Sequence, residues 1–245
     1  MHQTHNLQQR MRLFISIFLP ILIYQLANFS ASFVDTTMTG RYDTLHLAGV
    51  SMATSLWIPF FDLLIGIVSA LVPIIGHHLG QGKKEKIASD FFQFIYLSLG
   101  LSLILFALVF VGAPLVLSHL GLDPLVEEVA KNYLWYLALG IIPLLLFSTI
   151  RSLFDALGLT KLSMYLMLLL LPLNGSFNYA LIYGAFGFPE MGGAGAGLGT
   201  SLAYWVLLLI SLLVAVKHPK VRIYKLWEIR SLDKKGLIEG IRLGL

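Results

Sequence analysis

Five polar side chains in one apolar stretch could do chemistry that a membrane interior otherwise forbids. Gln25, Asn28, Ser32, Asp35 and Thr39 follow spacings of three and four, so on a helix they share one face. A lone polar residue can glue membrane helices together. A continuous polar face carrying a carboxylate instead reads as the wall of a cavity. An ionisable group at membrane depth is costly and needs a partner, and Asp35 there is poised to hold either a proton or a cation. Asn174 and Asn178 are four apart, hence on one helical face, each with an oxygen acceptor and two N–H donors. Interhelical hydrogen bonding is the default for such a pair; opposite a carboxylate it would share a cation or a proton network. Asp62, in Trp57-Ile58-Pro59-Phe60-Phe61-Asp62, stands alone among apolar and aromatic neighbours. Two readings stand for it: a structural acid satisfied by a neighbouring helix, or a cavity-lining group.

Other motifs resolve to packing or local pairing. Gly192-Gly193-Ala194-Gly195-Ala196-Gly197-Leu198-Gly199-Thr200 lacks GxGxxG spacing, and no strand precedes it. Its small residues four apart allow close helix approach in lipid. Gly80-Gln81-Gly82-Lys83-Lys84 is no phosphate-binding loop, since no Ser or Thr follows the lysine. His77 and His78 are adjacent, so they point about 100° apart on a helix and make poor joint metal ligands. Arg151 and Asp155 have the spacing of a local ion pair. No nucleophile–base set is present, so an enzyme is not expected.

The elements that position these residues follow from composition. The chain has 245 residues, no cysteine, 57% hydrophobic and only 12% charged residues, with a mean hydropathy of +0.81. Soluble domains carry about 25% charged residues, and half of that cannot cover a water-soluble surface. Disorder is excluded on the same ground, and a disulfide-stapled secreted fold by the missing cysteines. An all-α integral membrane protein remains. Six apolar stretches are long enough to span: Leu13–Thr39, Ala48–Ile75, Phe91–His119, Val129–Leu157, Ser163–Tyr183 and Gly192–Val216. The first is too long for a signal-peptide core and others follow it, so it is the first transmembrane helix. Pro20 removes a backbone hydrogen bond early in it and predicts a kink or hinge. With the N-terminus inside, only Arg41 and Lys131 of the 17 Lys and Arg fall in outside segments, which fixes a cytoplasmic N-terminus. The net charge of +4 is therefore the positive-inside signature with attraction to anionic membrane lipids, and no nucleic-acid partner is expected. The expected organisation is a six-helix membrane lobe over residues 1–216, a basic cytoplasmic linker over 217–235, and the start of a seventh transmembrane helix over 236–245.

The same residues carry a family resemblance. Pro20 followed by Phe33-Val34-Asp35-Thr36-Thr37-Met38-Thr39-Gly40 resembles the first-helix signature of multidrug and toxic compound extrusion (MATE) transporters. Leu47-Ala48-Gly49-Val50-Ser51, Trp57-Ile58-Pro59, Ala70-Leu71-Val72-Pro73, Arg151-Ser152 through Lys161, Asn174 with Asn178, and Tyr183-Gly184 through Gly192-Gly193 continue it. The pattern is most similar to the NorM-like branch and runs on to Arg242-Leu243-Gly244. The resemblance implies the N-terminal lobe of a twelve-helix, two-lobe antiporter that expels cationic amphipathic drugs in exchange for Na+ or H+. It implies that Asp35 is the coupling carboxylate and the one residue here to contact a metal ion, if that ion is Na+. Asn174 and Asn178 would be the polar pair beside it, and Pro20 the proline about which the first helix bends. No other cofactor is implied, and the location is the cytoplasmic (inner) membrane. Asp62 stands outside the family pattern. The C-terminal lobe, with its own acidic residue in helix seven, is the expected missing partner. Two alternatives keep the scaffold: a non-transporting fragment, or a flippase-type exporter of lipid-linked or metabolite substrates. The acidic rather than basic intramembrane charges favour cationic cargo over the latter.

Overall fold

The computed structural model describes residues 7–224 and residue 226. The linker beyond residue 226 and the expected seventh-helix start at 236–245 lie outside the described residues, as does Lys225. The described residues are helical almost throughout. They form α1 (Leu7–Tyr42), α2 (Thr44–Ser69), α3 (Leu71–Gly80), α4 (Lys84–Ala107), a π-helical turn (Leu108–Gly112), α5 (Ala113–Ser118), α6 (Pro124–Ala138), α7 (Ile141–Ala156), α8 (Thr160–Ile182), a 3-10 turn (Ala185–Gly187), α9 (Gly193–Lys217) and α10 (Pro219–Arg222). Five continuous or nearly continuous segments are long and apolar enough to cross a membrane. The α6–α7 pair makes a sixth, bent by 48°.

Prolines explain where the spans break. A proline withholds a donor from the carbonyl four residues earlier and its ring clashes with that carbonyl. Pro73 acts on Ser69, where α2 gives way to α3; Pro114 acts on Phe110, inside the π turn; Pro143 acts on Leu139, at the α6–α7 bend. The freed carbonyls at the bend are repaired from α9. Trp205 Nε1 donates to the Leu139 carbonyl at 3.2 Å, and Ser201 Oγ donates to the Tyr136 carbonyl at 2.6 Å. In a hydrocarbon solvent such repair is obligatory. The kink expected at Pro20 does not interrupt α1, which runs helical through that residue.

Acidic residues outside the apolar stretches start two helices. Asp43 accepts from the backbone N–H of Leu45 at 2.7 Å and of His46 at 3.2 Å. Asp123 accepts from Leu125 N–H at 2.9 Å, ahead of Pro124 at the first helical position. Helix α7 is the buried centre, with Phe147, Ile150, Leu153 and Phe154 enclosed. Around it α9 packs on α6 and α8, and α1 packs on α8 and α2. Outward faces carry exposed apolar residues such as Leu103 and Val111, as a surface solvated by lipid requires.

The glycine run at the start of α9 is packing, as its spacing predicts. A β-carbon at Gly195 would lie 2.7 Å from the Leu181 backbone of α8, and one at Gly197 would lie 2.5 Å from the Tyr133 carbonyl of α6. Gly193 meets Val50 and Val129. The alternating glycines thus open two faces of one helix to two neighbours at once.

Candidate functional site

Asp35 sits near the C-terminal end of α1, half-buried, where α8 and α9 converge on it. Its Oδ1 accepts from Asn178 Nδ2 in a short hydrogen bond. Its Oδ2 accepts from Thr200 Oγ1 at 3.4 Å. Thr200 Oγ1 accepts in turn from Asn174 Nδ2 at 2.9 Å, and Asn174 Oδ1 accepts from Asn178 Nδ2 at 3.2 Å. Every donor to the carboxylate is neutral. Asn178 Oδ1 is buried without a hydrogen-bond partner among the described residues. The local sequence explains the fit: the four-residue spacing stacks the asparagines on one face of α8, and Gly199 leaves the space that Asn178 Oδ1 fills.

The network borders an open-sided cavity of ≈ 400 Å³ lined by residues of α1, α2, α6, α7, α8 and α9. Gln25, Asn28, Ser32, Asp35, Asp62 and Asn174 all line it, so the polar stripe of α1 and both intramembrane acids face one space. Thr39 is a correction. It continues the stripe by spacing but is fully buried, does not line the cavity, and leaves its Oγ1 without a partner. Pro20 lies lower on α1, in a separate apolar groove with Arg12 and Lys161. The rest of the wall is aromatic and hydroxylic: Trp57, Phe61, Tyr133, Tyr204, Thr54 and Thr200. These residues were not singled out from sequence, because tyrosine and tryptophan inside apolar runs look like ordinary core. Thr200 closed the glycine run and was passed over with it.

Among the described residues, no Lys, Arg or His lines this cavity. The nearby cation Arg151 is engaged elsewhere, with Asp155 at 3.1 Å and over the Tyr24 ring at 5.0 Å. His78 pairs with Asp90 at 2.6 Å and His77 with Gln81 at 2.6 Å, so the histidine doublet is split between two partners. A cation held at Asp35 would find one carboxylate with amide and hydroxyl oxygens, the donor set of a hard ion.

The MatE family model matches residues 20–180. The chain belongs to the MatE family. Among curated relatives, one from Streptococcus pneumoniae named "Probable multidrug resistance protein NorM" is 66% identical over 245 residues, covering 100% of this chain and 54% of the relative. A protein of the same name from Halalkalibacterium halodurans is 41% identical, again covering 100% of this chain and 54% of the relative. The chain therefore spans about half the length of the curated relatives it matches. Among solved structures, a eukaryotic MATE transporter superposes with a TM-score of 0.80 at 18% identity, covering 97% of this chain and 52% of that one. A MOP superfamily transporter from Pyrococcus furiosus gives 0.80 at 19% identity, covering 94% and 50%. At such identity these likenesses speak to fold alone. The MatE chain is a multi-pass membrane protein, and its six-span bundle is the N-terminal lobe of the MATE fold.

Proposed function

We propose that this MatE lobe is half of a secondary antiporter that exports cationic amphipathic compounds across the cytoplasmic membrane in exchange for Na+ or H+. One observation carries the reading: among the described residues, Asp35 is held only by neutral donors at the wall of a cavity that no basic residue lines. A carboxylate so placed lacks a built-in counter-ion, so a mobile cation or proton must supply it. Asn174, Asn178 and Thr200 keep the carboxylate oriented in its absence. The otherwise unpartnered Asn178 Oδ1 offers a neutral oxygen to an arriving cation. Exchange then requires the ion and the cargo to favour different states of the protein, with the first helix, including Pro20, as the element that carries the difference. The remaining half of the cavity wall would come from a C-terminal lobe.

The test is efflux of ethidium from vesicles containing the complete two-lobe protein, driven separately by Na+ and H+ gradients. Asp35→Asn is expected to abolish ion-driven efflux under either gradient while leaving membrane insertion intact. Wild-type rates in that variant would overturn the assignment of Asp35.

A further inference from the structure

The second intramembrane acid, Asp62, has no place in the Asp35 network. Its side chain is exposed to the cavity and has no hydrogen-bond or ion-pair partner among the described residues. It lies equidistant in sequence from the two ends of the Thr44–Gly80 span, inside an apolar segment where an unpaired carboxylate is costly. At 1.5 Å per residue it is about 27 Å along the helix from the Thr44 end. Asp35 is about 10 Å from the adjoining Tyr42 end of α1. The two acids thus occupy one cavity at levels about 17 Å apart along the helices, too far for one small ion to bridge. On the same helix, Trp57 and Phe61 stack at 5.9 Å between ring centroids with 26° between planes, one turn apart, and both line the cavity that Asp62 faces. A carboxylate and a pair of aromatic rings on the wall of one cavity supply the recognition chemistry of an organic cation: charge pairing at one end and ring contact along its body.

We propose that Asp62, with Trp57 and Phe61, forms a cargo subsite for aromatic organic cations, separate from the ion-coupling site at Asp35. The proposal rests on the antiport reading and divides its labour: Asp35 couples, Asp62 anchors cargo.

The experiment uses the full two-lobe protein in nanodiscs, with ethidium as the cationic probe and a neutral aromatic dye of similar size as control. Asp62→Asn is expected to raise the ethidium Kd about tenfold or more and to leave the neutral dye's Kd unchanged. Asp62→Glu should recover most of the loss, and Trp57→Leu should weaken both probes. In Asp62→Asn the Na+ or H+ dependence of bound-probe release should persist, whereas Asp35→Asn should lose it. An Asp62→Asn protein that binds ethidium with wild-type Kd overturns the subsite. If that variant also melts at a lower temperature, Asp62 belongs to a contact with the second lobe instead. If wild-type protein releases probe under neither gradient, it is the antiport reading that fails, and the Kd comparison still decides the subsite.

Discussion

Replacing Gly199 by alanine would place a methyl group where Asn178 Oδ1 now lies, with the Asn178 backbone nitrogen 3.0 Å away and the Phe177 carbonyl carbon 3.2 Å away. The side-chain collision can be relieved only by turning Asn178 away from Asp35; the backbone contacts require α8 and α9 to separate. Overpacking of this kind costs about 1–3 kcal/mol. Losing a hydrogen bond to a charged carboxylate costs about 1.5–3 kcal/mol. Against these stands the helix preference for alanine over glycine, at most about 1 kcal/mol. The net expectation is about 3 kcal/mol of destabilisation, with ion-driven efflux reduced at least tenfold because the carboxylate loses its main donor. Gly76→Ala is the control. That glycine is also helical, with nothing within 4 Å of an added β-carbon, so the same substitution should be neutral or slightly stabilising. Thermal unfolding of the full protein in detergent, followed by vesicle efflux, measures both. If Gly199→Ala and Gly76→Ala behaved alike, the packing argument for the site would be refuted.

Two further substitutions probe the scaffold. Trp205→Phe keeps the ring but removes the donor to the Leu139 carbonyl, and should cost about 1 kcal/mol, read as a lowered unfolding temperature with faster amide exchange around residue 140. Gly192→Ala combines a positive φ of 56° with a β-carbon 2.6 Å from His46 Nδ1 and 2.7 Å from Tyr42 Cε1. It would dislodge His46 from the Gly193 N–H that it caps at 3.0 Å, and a stability loss of about 2 kcal/mol or more should appear in the same melt.

Much of this could be read from spacing. The three-and-four repeat of α1 put Gln25, Asn28, Ser32 and Asp35 on one wall, and the four-residue step between asparagines stacked them against the acid. The repeat overreached by one turn at Thr39, because a helical stripe does not say where the facing cavity ends. Pro20 drew attention as a kink, yet the breaks fall ahead of Pro73, Pro114 and Pro143. A proline in a long apolar run signals a freed carbonyl, but whether the chain breaks there depends on which neighbour can repair it. The donors that repair the α6–α7 bend, Ser201 and Trp205, lie more than sixty residues away in sequence. Tyr133, Tyr204 and Thr200 were missed for the same reason, since their place in the wall is set by contacts between helices.

The glycines of α9 also lock that helix in one register. Suppose α9 slid by one turn, about 5.4 Å, toward its own C-terminus. Gly195 would then stand opposite Asn178 and Gly193 opposite the Tyr133 carbonyl, but Met191 would be carried into the place of Gly195, against the Leu181 backbone. The same slide toward its N-terminus would present Ala203 and Ser201 at the places of Gly199 and Gly197, with side-chain atoms where only hydrogen now fits. Steric refusal therefore runs both ways along the helix axis, as with a key cut for one lock.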